Sequence, residues 1–195
     1  MTHQLHLTHE PDHAVTIGDG EQVILTYQYG AGLRYPYCHP VNLPDGPSIT
    51  LHKPFDHLWH LWLYFAWKYI NGLNVWEGRD SGEPWGATRH LRLDAIEDQG
   101  AGAGVWHAID WGSGAGDALL RDERCVLVRP TKSSRYHCID WVLTFTPLVD
   151  AVELDRKVEW GGYAGLGVRL PRSFVRPHVR NAEGQTADML LMPLT

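Results

Sequence analysis

Apolar and polar residues alternate with a period of two along much of this chain, and the alternation breaks repeatedly at Gly, Pro and Asp. The clearest stretch is Ser134 to Thr146, where Ile139, Trp141, Leu143 and Phe145 fall on one side and Cys138, Asp140, Val142 and Thr144 on the other. This predicts a long strand. Leu119 to Val128 predicts a second, and Pro130, Thr131, Lys132 and Ser133 between them supply the turn of an antiparallel hairpin. Further strands are predicted over Gln22 to Tyr29, Thr88 to Ile96, Val105 to Asp110, Ala151 to Val158 and Leu166 to Leu170. The alternation of Trp59, Leu61, Leu63 and Phe65 predicts that another begins close by. Gly100 to Gly104 (GAGAG) and Gly112 to Gly116 (GSGAG) read as flexible loops flanking the Val105 strand; neither has the strand-to-helix setting or the Lys-Ser/Thr ending of a phosphate loop. No long helix is needed, and helix is expected in fewer than about one fifth of the residues. The pattern predicts an all-β, antiparallel β-sandwich, with residues 1–195 as a single domain, since no repeat or linker divides them.

Composition narrows the function. A length of 195 residues with 44% hydrophobic content suffices for one sizeable core. A formal charge of -6 and a pI near 6.0 leave no basic stripe to neutralise phosphates, so nucleic acid and anionic membrane surfaces are excluded as main partners. A neutral or cationic ligand is expected instead. Residues 1–11 carry three His and alternating polar residues where a secretory signal has a basic start and an apolar run. The most apolar stretch, Leu58 to Trp67, contains His60 and falls short of the roughly 20 residues a membrane helix needs. Cys38, Cys125 and Cys138 are odd in number and lack C-x-x-C spacing, which argues against a disulfide framework and predicts a reduced, cytoplasmic setting.

Candidate chemistry concentrates between Tyr35 and His90, where His39, His52, His57, His60 and His90 lie among many Tyr and Trp residues. Imidazoles titrate near neutrality and flat rings suit the apolar faces of sugars. This predicts a polar, ring-lined cleft, against the plainer reading of an aromatic core with histidines at its rim. The pair His57 and His60 invites zinc-type ligation on a helix or tight loop, with His39 or His90 as third ligand, but on a strand the two face opposite sides. A divalent metal is therefore an alternative, and no other cofactor is expected. Asp56, Glu77, Glu123 and Asp140 are the carboxylates that would tune such histidines. Glu123 and Arg124 must face opposite sides of their strand. Gly161, Gly162, Gly165 and Gly167 surround Tyr163 just before Arg169, which suits a turn, a bulge or close approach to a ligand or neighbouring strand.

Three ordered motifs carry a resemblance over most of the chain: Tyr35-Pro36-Tyr37-Cys38-His39-Pro40-Val41 followed by Pro44-Asp45-Gly46, then Asp56-His57-Leu58-Trp59-His60, then Asn71-Gly72-Leu73-Asn74-Val75-Trp76-Glu77-Gly78. Later echoes are His90, Glu123-Arg124, the glycine-rich stretch through Arg169, and Pro171-Arg172-Ser173-Phe174. In these the chain resembles the PmoA-like family of soluble bacterial proteins, whose label is borrowed from methane oxygenase. The resemblance implies a sandwich akin to those of sugar mutarotases, and members that accompany sugar oxidoreductases in gene neighbourhoods. Membrane methane oxidation does not follow, because no spanning segment is present. Two departures stand out: Leu61-Trp62 after the second motif, and a family domain that continues well past Pro171-Arg172-Ser173-Phe174. The latter implies a shortened member or a sheet completed by another subunit. With the apolar ending Met189-Leu190-Leu191-Met192-Pro193-Leu194, it predicts a homo-oligomer.

The expectation is a carbohydrate-active enzyme that uses His-mediated acid/base chemistry on a sugar, keto-sugar or glycoside. Its catalytic candidates are His57, His60, His90 and Glu123, and its substrate-binding candidates His39, Asp56, Trp59, Asn74, Trp76, Arg124, Tyr163 and Arg169. Arg124 or Arg169 would stabilise an oxyanion. The rivals are a non-catalytic sugar-binding or regulatory sandwich and a metal-dependent lyase or hydrolase.

Overall fold

The computed structural model of the protein describes residues 4–51, 63–98, 100–133, 135–160, 162, 164–171, 173–174, 178–180, 184 and 186–188. Its strands are β1 (Leu5–Glu10), β2 (Ala14–Asp19), β3 (Gln22–Gln28), β4 (Tyr37–Val41), β5 (Leu63–Trp67), β6 (Tyr69–Ile70), β7 (Leu73–Asn74) and β8 (Gly86–Asp98). They continue as β9 (Gly102–Ser113), β10 (Ala118–Arg129), β11 (Cys138–Pro147), β12 (Leu154–Asp155), β13 (Ala164–Val168), β14 (His178–Arg180) and β15 (Thr186–Asp188). Among the described residues there is no α-helix, only short 3-10 turns at Gly78–Ser81 and Val158–Trp160. The chain is all-β, with antiparallel sheets and no closed barrel.

A six-stranded sheet in the order β1-β2-β3-β4-β5-β13 packs against a four-stranded sheet in the order β11-β10-β9-β8. A three-stranded sheet, β12-β6-β7, and the pair β14-β15 complete the described set. Alternation positions the core. Val15, Ile17 and Leu25 from the larger sheet meet Val105, Val126 and Val128 from the smaller one, all essentially excluded from solvent. Each such side chain contributes about 1.5–3 kcal/mol. A second cluster is mostly aromatic: Tyr35, Tyr37, Trp76 and Trp111 pack with Ile70, Ile109 and Leu120.

The predicted hairpin forms, with Arg129 opposite Cys138 and Leu120 opposite Pro147. Ile139, Trp141, Leu143 and Phe145 are more covered than Cys138, Val142 and Thr144, as their parity requires. Two expectations need correction. Gly102 and Gly104 lie inside β9 rather than in a loop, because a Cβ on Gly104 would come within 2.1 Å of the Val126 carbonyl oxygen. Glycine there allows β9 and β10 to approach closely. The turn shrinks accordingly, with the Asp98 carboxylate accepting from the N–H groups of Gly100 and Ala101, both at 2.8 Å. Gly112 likewise closes β9 instead of opening a loop. Over Ala151 to Val158, only Leu154 and Asp155 form strand. Asp155 Oδ1 accepts from the Lys157 N–H at 2.8 Å and Lys157 adopts φ 48°, an Asx-type turn that ends the extended run. Leu5–Glu10 and Ala14–Asp19 form an additional hairpin at the start of the larger sheet.

Among the described residues, no helix is long and apolar enough to cross a membrane.

Candidate functional site

The inner face of the smaller sheet is not uniformly apolar. On β9, Val105, His107, Ile109 and Trp111 share the core-facing parity, and on β10 so do Leu120, Asp122, Arg124 and Val126. Arg124 stands opposite His107 in the register. From the larger sheet, Tyr27 and Tyr29 reach across to meet them.

Hydrogen bonds join these side chains into neighbouring groups. Arg124 makes two bonds to the Asp122 carboxylate, Nε to Oδ1 at 3.2 Å and a shorter one from Nη2 to Oδ2, while Trp111 Nε1 donates to Oδ2 at 3.0 Å. Asp122, Arg124 and His107 have no solvent exposure at all. The Tyr27 hydroxyl bonds His107 Nδ1 at 2.8 Å, and His107 Nε2 bonds His90 Nδ1 at 2.9 Å. His90, on β8, keeps exposure to solvent, with its ring 5.3 Å from that of Tyr29. The Tyr29 hydroxyl accepts from the Asp12 N–H at 2.8 Å and bonds His9 Nε2 at 2.8 Å. A buried ion pair thus lies beside a hydrogen-bonded sequence, Tyr27 to His107 to His90, that leads from the core to an exposed imidazole.

A bulge aims His90 into this chain. Arg89 pairs with Asp110 and His90 with Ile109, but Arg92 pairs with Ala108, so Leu91 is an extra residue in β8. The insertion lets His90 share the inward parity of Ile109 while Arg89 and Arg92 both turn outward.

Burial sets the protonation states. His107 is pushed down from its ordinary 6.5 to about 3, mainly by burial and further by the charge of Arg124 and by His90. It is therefore a neutral imidazole, with one donor and one acceptor nitrogen. Burial raises the Tyr27 hydroxyl, although Arg124 works in the other direction, so Tyr27 keeps its proton. For Arg124 burial disfavours the charge, yet Tyr27 and Asp122 hold its pKa above the ordinary value. The guanidinium carries only donors, so the lone pairs of the Tyr27 oxygen turn toward it and the phenolic proton points to His107 Nδ1. His107 then carries its proton on Nε2 and donates to His90 Nδ1. In its neutral form His90 is left with its proton on Nε2.

Of the predicted residues, His90 and Arg124 both neighbour His107, which bonds His90 and stands opposite Arg124. Arg124 is fully buried, so it acts through its neighbours and does not touch a ligand itself. Glu123 faces the opposite side of β10, beside Arg121 and paired with Ala108 and Thr144. His39 also points away from the chain: Cys38 takes the inward position opposite Tyr27, and His39 Nδ1 bonds Thr50 Oγ1 at 2.9 Å. Asn74 and Trp76 lie apart from the His90 group. Asn74 Oδ1 accepts from the N–H groups of Trp76 and Glu77 at 3.1 and 3.0 Å, and the Trp76 ring packs at 5.2 Å from Tyr64. The Arg169 carbonyl accepts from the Leu51 N–H at 3.1 Å. Asp56, His57, Trp59, His60 and Tyr163 lie outside the described residues. Among the described residues, no three His, Cys, Asp or Glu side chains converge as a metal site. Sequence reasoning passed over Tyr27, His107 and Asp122. The available signal was parity, since His107 falls in the same row as Val105, Ile109 and Trp111.

No curated protein and no solved structure matches the chain. Residues 14–192 match the pattern of a family of unknown function, DUF6807, and the chain belongs to that family.

Proposed function

We propose that the chain acts on a small sugar-like molecule by acid/base chemistry in which His90 supplies the proton. The observation that carries this reading is the hydrogen-bonded sequence Tyr27, His107, His90, which lies beside the fully buried Arg124–Asp122 ion pair and ends at an exposed imidazole. Buried ion pairs give little net stability compared with apolar residues of the same volume, and strongly shifted titratable groups concentrate at functional sites. The polarity of the chain gives His90 a donor at Nε2, suited to protonating or polarising an oxygen of a carbonyl or a leaving hydroxyl. His57 and His60, outside the described residues, are the candidate bases for the partner step.

A second reading, ligand binding without turnover, is favoured by the same protonation pattern. Tyr27 keeps its proton and His107 stays neutral, so the chain presents an oriented donor and no described base. Incubation with a panel of aldoses, keto-sugars and glycosides in D2O, followed by NMR, separates the two. Solvent deuterium at carbon, isomerisation or bond cleavage that falls about a hundredfold in His90→Gln supports catalysis. Saturable binding without any such change supports the second reading, and turnover equal in His90→Gln and parent rejects His90.

A further inference from the structure

The segment from Asn71 to Gly78, prominent in the sequence, contributes nothing to the His90 chain, yet it builds part of another cavity. In the three-stranded sheet Asp155 pairs with Tyr69 and Tyr69 with Asn74, so these three side chains share one face in a single row. Asn74 is held against the next loop by its N–H, which donates to the Pro84 carbonyl at 2.8 Å, and this brings Glu83 over the row. The result is a cavity of about 410 Å³ lined by Tyr69, Gly72, Glu83, Pro84, Glu153, Asp155 and Lys157. That volume lies within the range of small-molecule sites, whereas the depression of about 180 Å³ beside Trp85 and Asp110 does not.

The cavity floor is already fixed. Tyr69 is 9% exposed and donates its hydroxyl proton to Glu83 Oε2 at 2.9 Å, while Lys157 Nζ donates to the same hydroxyl at 3.1 Å and sits 4.9 Å from the ring centroid. Lys68, ion-paired to Glu77, approaches the ring at 5.5 Å. Asn74 Nδ2 adds a second donor to Glu83 Oε2 at 3.0 Å. Two donors on one oxygen orient the carboxylate and leave Oε1 with no hydrogen bond among the described residues. Glu153 and Asp155 add carboxylates at the rim. Three carboxylates against one ammonium exclude phosphorylated and acidic ligands, and acceptors in this number require donors on the ligand.

We propose that this cavity is a ligand site for a small, hydroxyl-rich molecule without negative charge, of the class of neutral sugars and amino sugars. It shares no residue with the His90 chain, and the two readings stand or fall separately. The test is an NMR titration of the whole chain with D-glucose, D-glucosamine and D-glucuronate. D-Glucose and D-glucosamine are expected to give saturable shifts, D-glucosamine the tighter, and D-glucuronate none. Glu83→Gln is expected to weaken binding about tenfold, since it removes a charged acceptor, while His90→Gln leaves it unchanged. Glu153→Gln, at an exposed position, provides the same reading if Glu83→Gln lowers the melting temperature. Absence of saturable binding by all three sugars, equal binding of D-glucuronate, or parent-like affinity in both carboxylate variants would each overturn the proposal.

Discussion

Strands β9 and β10 carry an ion-pair group on each face, and the two groups differ in what surrounds them. On the outer face, Asp110 is held by Arg89 at 3.0 Å and Arg121 at 2.5 Å, through arginine side chains 58% and 37% exposed. On the inner face, Asp122 and Arg124 pair at 0% exposure for both side chains. Breaking the outer group lets each arginine turn back to water. Breaking the inner one strands a charge where water does not reach. The outer group thus ties a buried carboxylate to two arginines that keep contact with water, and the inner one holds both charges out of its reach.

Substitution of the two aspartates breaks this comparison most directly. Asp122→Asn keeps the shape of the side chain but leaves Arg124 uncompensated, and is expected to lower the unfolding free energy by about 3–5 kcal/mol in urea titration. Combining Asp122→Leu with Arg124→Met removes both charges and is expected to recover most of that loss. A double variant as unstable as Asp122→Asn would mean that packing, not charge, dominates the inner face.

Acid sharpens the comparison next. The native state holds His107 at about 3, while the unfolded chain titrates near 6.5. Below pH 6.5 the unfolded state therefore takes up a proton that the native state refuses. The stability present above pH 6.5 drains away as pH falls toward 3. Between pH 6.5 and 5 this linkage amounts to roughly 1.5 kcal/mol. His107→Gln should flatten the slope of stability against pH over that interval, and an unchanged slope would assign the acid sensitivity to other histidines.

The smallest effect belongs to the outer face. Asp110→Asn is expected to cost on the order of 1 kcal/mol or less, and salt should shrink the difference from the parent further. A loss matching that of Asp122→Asn would erase the distinction between the faces.

Much of the frame was legible in the sequence, because β10 and β11 alternate strictly and the turn residues between them are unambiguous. Glycine misled the reading of β9: as a residue it signals a break, and only the proximity of the Val126 carbonyl explains why Gly104 belongs to a strand. Ala151 to Val158 misled it the other way, since Leu154 and Val158 alternate plausibly but are both exposed and gain little from extension. At the candidate site, His90 stood out by residue type alone. Its support did not, because Tyr27 meets His107 across 80 residues of chain and no local pattern encodes that contact. Arg124 is a candidate oxyanion stabiliser by its chemistry, and its parity with Val126 and Leu120 places it inside the sandwich, fully buried.

β8 is the last strand in its sheet and runs for thirteen residues, long enough to template a strand from another molecule if it were straight. The inserted Leu91 interrupts the even spacing of its backbone donors and acceptors and increases the local twist, while Arg89, Arg92 and Asp94 place charges along the same strand. The residue that turns His90 inward therefore also guards the folded chain against fibrous self-assembly. Deleting it would straighten the edge as well as misdirect the imidazole, so the aim of His90 and the protection of the sheet edge depend on the same single insertion.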